Sequence, residues 1–180
     1  EVSKDSHTLP VALSAPGTGK SLVAQNAAGW LRDSPDSKLR AMTSTDLLSI
    51  TVSFNSNTKY DEDKDNHSSS ALALRMFASY FGADLAVLRG LLGHKLPDFS
   101  ICLNAILLDH RERHPEKAAG TTLLFLAVDD VTSVANAAPK PGSRTLCQLG
   151  DLTDTLGSAL CAAPEGCFFV ALLTGTIHGP

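Results

Sequence analysis

The stretch Ser14-Ala15-Pro16-Gly17-Thr18-Gly19-Lys20-Ser21 constrains the fold of this chain more than any other. It follows a short apolar run, Leu9–Leu13, and opens a helix-like stretch from Lys20 to Leu31. A strand, a glycine-rich turn and a helix in that order make a phosphate-binding loop, whose backbone N–H groups converge on anionic oxygens. Gly17 and Gly19 let the backbone turn tightly. Lys20 brings a cation for the outer phosphates, the Ser21 hydroxyl suits a Mg²⁺ ligand, and the helix directs its positive dipole end at the anion. Pro16, Gly17, Thr18, Gly19, Lys20, Ser21 and Leu22 are the residues expected to hold a nucleotide. Ser14 stands where the G-x-x-x-x-G-K-[ST] pattern has its first glycine, so strain or a re-angled entry is expected there.

The rest of the chain supplies further strands. Leu47–Phe54 is rich in β-branched and aromatic residues. Thr121–Val128 and Cys167–Leu173 are almost continuously apolar, which signals strands buried on both faces, as in a parallel sheet covered by helices. Helical patterns occupy Ser21–Asp33, Ser69–Phe81, Ala83–Leu92, Phe99–His114 and Thr145–Ala163. The first stops at the breaker Ser34-Pro35-Asp36. Loops are expected at Asn55–Ser68, which is acidic and polar, and at Ala137–Ser143. Alternating strands and helices predict a three-layer α/β domain with a mostly parallel sheet. At 180 residues, 43% hydrophobic and 19% charged, the chain is long and apolar enough for one domain with its own core.

The strand Thr121–Val128 delivers Asp129-Asp130 at its carboxyl end, where open α/β sheets bind ligands. Its form is that of a Walker B strand. Asp129 is expected to hold Mg²⁺ opposite Ser21. Asp130 is placed to polarise an attacking water as general base, with Lys20 as its catalytic partner on the phosphates.

Ser14–Ser21 together with Leu124–Asp130 resembles the additional-strand class of P-loop ATPases, which includes the AAA+ and STAND families. That resemblance implies a further strand between the P-loop strand and the Walker B strand, ending in a polar sensor near the γ-phosphate. Cys167–Leu173, with Thr174 and Thr176 at its end, occupies that place in the chain order. Ile50–Asn55 and Ala71–Met76 also resemble the NTPase domain shared by crinkler effectors and retrotransposon-hot-spot proteins. The implied activity is Mg²⁺-dependent ATP binding and hydrolysis driving a conformational switch, with a protein partner or further domains of the same chain as its target. Many active relatives carry Asp-Glu where this chain has Asp129-Asp130, so hydrolysis is expected to be slow. The alternative is a nucleotide-gated binding module with little turnover. Against the family pattern the chain reads as a core, residues 1–180, without a last strand and lid. A kinase would keep the loop but needs an Arg-rich lid, and no such segment is evident after Asp130.

Other patterns carry less. Thr58-Lys59-Tyr60-Asp61 matches a guanine-specificity motif but precedes Asp129, whereas in a GTPase it follows. Asp61–Asn66 begins like a Ca²⁺ loop, yet Leu72 stands where the bidentate Glu belongs, so a solvated acidic loop is expected. His110 and His114 stand one turn apart beside Arg111, Glu112 and Arg113 and read as a surface helix end. Arg75 lies inside an apolar stripe, so it requires a partner; an ion pair is preferred over an arginine finger, with Arg89 as a second such residue. No G-x-S-x-G elbow supports Ser/His/Asp hydrolase chemistry, and Ser21 is better explained by the phosphate-binding loop.

The net charge of −4 excludes a basic surface spread over the whole domain, so nucleic acid is not indicated. No apolar run reaches the ~18 residues of a membrane span, and the polar start Glu1–Asp5 shows no signal peptide. Cys102, Cys147, Cys161 and Cys167 form no C-x-x-C pair and sit in apolar surroundings, as free thiols in an intracellular compartment would.

Overall fold

A computed structural model of the chain describes residues 9–55, 58–65, 67–93, 95–117, 120–135 and 148–176. The expected loop Ala137–Ser143, the helix start at Thr145, Cys147, Asn66 and the polar segment Glu1–Asp5 lie outside the described residues. The elements are β1 (Val11–Ser14), α1 (Lys20–Arg32), α2 (Ser37–Thr45), β2 (Leu47–Ser53), α3 (Glu62–Asp65) and α4 (Ser68–Phe81). They continue with α5 (Leu85–Leu92), α6 (Phe99–Arg113), β3 (Thr122–Asp129), α7 (Thr132–Ala135), α8 (Gln148–Cys161) and β4 (Cys167–Thr176).

The four strands form one sheet in the order β1-β4-β3-β2, and every pairing is parallel. β4, the last strand in sequence, is inserted between β1 and β3. β3 has a strand on each side and helices on each face, so all eight of its residues are buried. On one face Leu48, Ile50, Val52, Leu124, Leu126, Val128 and Leu173 pack with α4, α6 and α8. On the other, Phe125 and Ala127 pack with Ala24, Ala27 and Ala28 of α1. The architecture is three-layer α/β, as expected.

The alanines of α1 bear on function. Ala24, Ala27 and Ala28 fall on one helical face, and their small side chains let α1 lie close to the sheet. That approach sets the first turn of α1 against the carboxyl end of β3.

Several expectations are corrected. Ser37–Thr45 forms a helix after the breaker; Asp36 Oδ1 accepts the Lys38 N–H at 2.8 Å, a capping signal that the sequence carried. α5 begins at Leu85 because Asp84 caps it through the N–H groups of Ala86 and Val87. Ser14 is the last residue of β1 and has no positive φ, so its backbone does not need the left-handed conformation that favours glycine. Among the described residues of the expected acidic loop, Glu62–Asp65 form α3, and Asp65 is fully buried rather than solvated. Of the cysteines, Cys102 is buried, and burial first, then the charge of Asp98, push its thiol up to about 11. Cys161 and Cys167 are half-buried free thiols.

His110 is the largest correction. It is buried and lies 3.0 Å and 3.1 Å from the two carboxylate oxygens of Asp46, just before β2. Thr122 Oγ1 at the start of β3 donates to the same carboxylate at 2.8 Å, and Lys117 Nζ lies 3.6 Å away. The helical pattern misled because charged neighbours on α6 suggested a wet face, while His110 itself sits on the face that packs inward. The cluster ties α6 to β2 and β3 at the end of the sheet remote from the glycine-rich loop after β1.

Burial alone would raise the Asp46 carboxyl, but hydrogen bonds from His110 and Thr122, with the charges of His110 and Lys117, hold it below its ordinary value of 3.8. A depressed carboxyl stabilises the fold above its unfolded value and loses that contribution as pH falls through the folded value. Asp46→Asn should therefore be less stable at pH 7 by about 1–3 kcal/mol. It should also lose less stability than the wild type between pH 4 and pH 2, measured by urea denaturation.

Candidate functional site

The loop after β1 turns on two left-handed glycines, Gly17 at φ 75° and Gly19 at φ 86°. No atom lies within 4 Å of where a Cβ would stand at either, so the requirement for glycine is one of backbone conformation rather than crowding. Thr18 Oγ1 donates to the Ala15 carbonyl at 2.8 Å and stiffens the turn. Gly19 caps α1, whose first turn holds no acidic residue and no side-chain cap, so its leading N–H groups are left for an anion. Lys20 folds back across the loop, donating to the carbonyls of Ser14 at 3.0 Å and Ala15 at 2.6 Å. Pro16 and Leu22 flank the turn on its exposed side.

Four elements converge on one carboxylate. Asp129 ends β3 and is 5% exposed. Ser21 Oγ, from the first turn of α1, donates to its Oδ2 at 2.7 Å. Thr174 Oγ1, near the end of β4, donates to its Oδ1 at 2.5 Å. Asn55 Nδ2, just past β2, lies 3.3 Å from Oδ2. The register explains the convergence: Val128 pairs with Leu173 and Ser53 with Asp129, so three strand ends finish level and open to the same side.

The structure thus joins Ser21, Asp129 and Thr174, all named from sequence, and separates the other two candidates from them. Thr176 is held by its backbone N–H on Thr132 Oγ1 at 3.1 Å. Asp130 takes a left-handed backbone with φ 60°. Its Oδ1 accepts from Thr132 Oγ1 at 2.9 Å and its Oδ2 from Ser133 Oγ at 2.6 Å. Both oxygens therefore hold the start of α7. Gly175, between the two threonines, admits no larger residue without displacement, since a Cβ there would meet Leu13 Cδ2 at 2.8 Å and Thr132 Cγ2 at 3.0 Å.

Asn55 is the site residue that sequence reading passed over as the first residue of a loop. The available signal was its position immediately beyond a buried strand, on the ligand-binding side of a parallel sheet. Arg75, by contrast, is 3% exposed, and its guanidinium is committed to Asp65 and to carbonyls of Thr58, Lys59 and Ala71. This is the ion-pair arrangement preferred from sequence.

The fold and site define a parallel α/β domain with a glycine-rich loop, a helix N-terminus and a buried carboxylate gathered at one edge of the sheet. No family model matches the chain, and no curated protein matches it. No helix among the described residues is long and apolar enough to cross a membrane.

Thr174→Val keeps the shape of the side chain and removes one donor from a buried carboxylate. A loss of about 1–3 kcal/mol is expected, read as a lower urea midpoint with an unchanged slope.

Proposed function

We propose that this chain binds Mg²⁺-ATP at Pro16–Ser21 and acts as a nucleotide switch that turns over slowly. The observation that carries the reading is the Ser21–Asp129–Thr174 cluster beside a glycine-turned loop and an uncapped helix start. β4 lying between β1 and β3 supports it, because that is the strand order the resemblance to additional-strand P-loop ATPases implies.

The donor set fits Mg²⁺. A hydroxyl and a carboxylate suit a small hard cation that keeps most of its waters and takes few protein oxygens. Among the described residues no three His, Cys, Asp or Glu side chains stand together, so an all-protein cage is not part of the fit. Ser21 and Asp129 would hold the ion, and neutralising charge on phosphate oxygens is the chemistry it supplies when bound. Lys20 would exchange its two carbonyl partners for phosphate oxygens, which make stronger, charge-assisted bonds. The N–H groups of Gly17 to Ser21 would hold the remaining oxygens. Thr174, fixed on Asp129, would report the outer phosphate to β4 and to whichever partner or further domain reads the switch.

Asp130 favours slow turnover. A general base must reach the water it activates, and this carboxylate is engaged by two hydroxyls of α7. The same observation supports a second reading, a module that holds nucleotide and hydrolyses almost none.

Equilibrium binding of ATP and GTP with Mg²⁺ tests the site, with Lys20→Ala as control. Saturable ATP binding, weakened at least about tenfold by the substitution, is expected from the loss of a charged phosphate contact. Absence of binding at millimolar ATP in a folded sample would sink the reading. Turnover separates the two versions. Thr132→Val with Ser133→Ala should release Asp130 and raise the rate about tenfold if it serves as base; an unchanged rate would favour the module.

A further inference from the structure

We infer that Arg75 is a positioning residue for the site: acting through the Thr58 carbonyl, it sets Asn55 against Asp129. The inference rests on the nucleotide reading for its consequence, and on a continuous chain of hydrogen bonds for its geometry.

The chain begins on α5. Arg89, 17% exposed, donates to Asp65 Oδ1 through Nη2 and through Nε at 3.1 Å. Asp65 Oδ2, fully buried, accepts from Arg75 Nη2 at 2.9 Å and from the Asp61 N–H at 3.0 Å. Arg75 in turn donates to the Thr58 carbonyl through Nε at 2.9 Å and Nη2 at 2.7 Å, and to the Lys59 carbonyl at 3.0 Å. Its guanidinium lies 4.6 Å from the centre of the Phe54 ring, next to Asn55 in sequence. Thr58 then donates to the Asn55 carbonyl twice, from its N–H at 2.9 Å and its Oγ1 at 2.8 Å. The Asn55 N–H is held by Ser53 Oγ at 3.2 Å, and its side chain ends on Asp129 Oδ2.

Two physical points turn this sequence of contacts into a role. Burying two guanidinium groups against one carboxylate leaves an excess positive charge that apolar side chains of similar size would avoid, so stability alone is a poor reason for it. The excess is spent on the carbonyls of Thr58 and Lys59, which lie between β2 and α3. Arg75 is therefore what gives Thr58 a fixed place, and Thr58 is what gives Asn55 one. Asn55 and Ser21 share Asp129 Oδ2, so a displaced Asn55 removes one of the two donors to that oxygen and leaves the carboxylate oriented by the Ser21 and Thr174 hydroxyls alone.

The test uses Arg75→Lys, which keeps the charge beside Asp65 but lacks the planar fork that spans two carbonyls. Arg89→Met is the second variant, cutting the chain at its least buried end in case the first does not fold. Two readouts apply. In the free protein, the Asn55 side-chain amide signal, assigned by its loss in Asn55→Ala, should shift or broaden in both variants. An unmoved signal in a folded variant overturns the inference, whatever the nucleotide does. With Mg²⁺-ATP, a double-mutant cycle between Arg75→Lys and Asn55→Ala should be non-additive. Arg75→Lys should weaken binding about fivefold with Asn55 present and by less than about twofold without it. Equal losses in both backgrounds would mark Arg75 as a structural residue and overturn the proposal. Failure of the wild type to bind Mg²⁺-ATP would count against the nucleotide reading alone, with the amide signal deciding the positioning role.

Discussion

The structure depends on a carboxylate that an apolar sheet has to accommodate. Asp129 sits at the end of a strand buried along its whole length, and a charge taken from water costs several kcal/mol unless donors surround it. Those donors come from three other elements, so satisfying Asp129 fixes the first turn of α1, the end of β4 and the segment after β2 together. The glycine-turned loop is held in register with the sheet by the same requirement. A site that gathers residues from Ser21 to Thr174 is kept in one place by the energetics of one buried charge.

Two further buried aspartates follow the same logic with different consequences. Asp46 is enclosed by His110 and Thr122 and ties a helix to two strands at the remote end of the sheet. Asp65, at the end of α3, is enclosed by two arginines from α4 and α5. Asp65 Oδ2 also accepts the backbone N–H of Asp61, whereas the partners of the Asp46 carboxylate are the side chains of His110, Thr122 and Lys117. Asp129 differs because its partners are small hydroxyls and an amide at the carboxyl end of the strands. Such donors can rearrange around a cation, whereas a doubly paired Asp65 cannot.

Much of the fold was legible because its signals are local. A run such as Leu123–Val128 can satisfy both its apolar side chains and its backbone only as an interior strand. Gly17 and Gly19 announce positive φ, and Lys20-Ser21 names the chemistry of the turn. What was missed depended on partners far away in sequence. His110 reads as a surface residue until Asp46 is seen across 64 positions, and Asp65 reads as solvated until α4 and α5 each aim an arginine at it. Asn55 reads as loop until β2 and β3 are set in register. α2 and the start of α5 were failures of local reading, since Asp36 and Asp84 were visible caps.

The sequence by itself determined the layered α/β class, the loop and its cationic and hydroxyl residues, and the acidic end of β3. These follow from side-chain size, backbone freedom and hydrophobic period, which act over a few residues. The place of β4 between β1 and β3 was implied by the resemblance and is what the sheet shows, whereas only the tertiary structure decided that Thr174 rather than Thr176 meets Asp129 and that Asp130 is turned to the start of α7. Those outcomes rest on strand order, register and the pairing of buried charges. Each is fixed by groups that meet only after the chain has folded, and no local pattern encodes them.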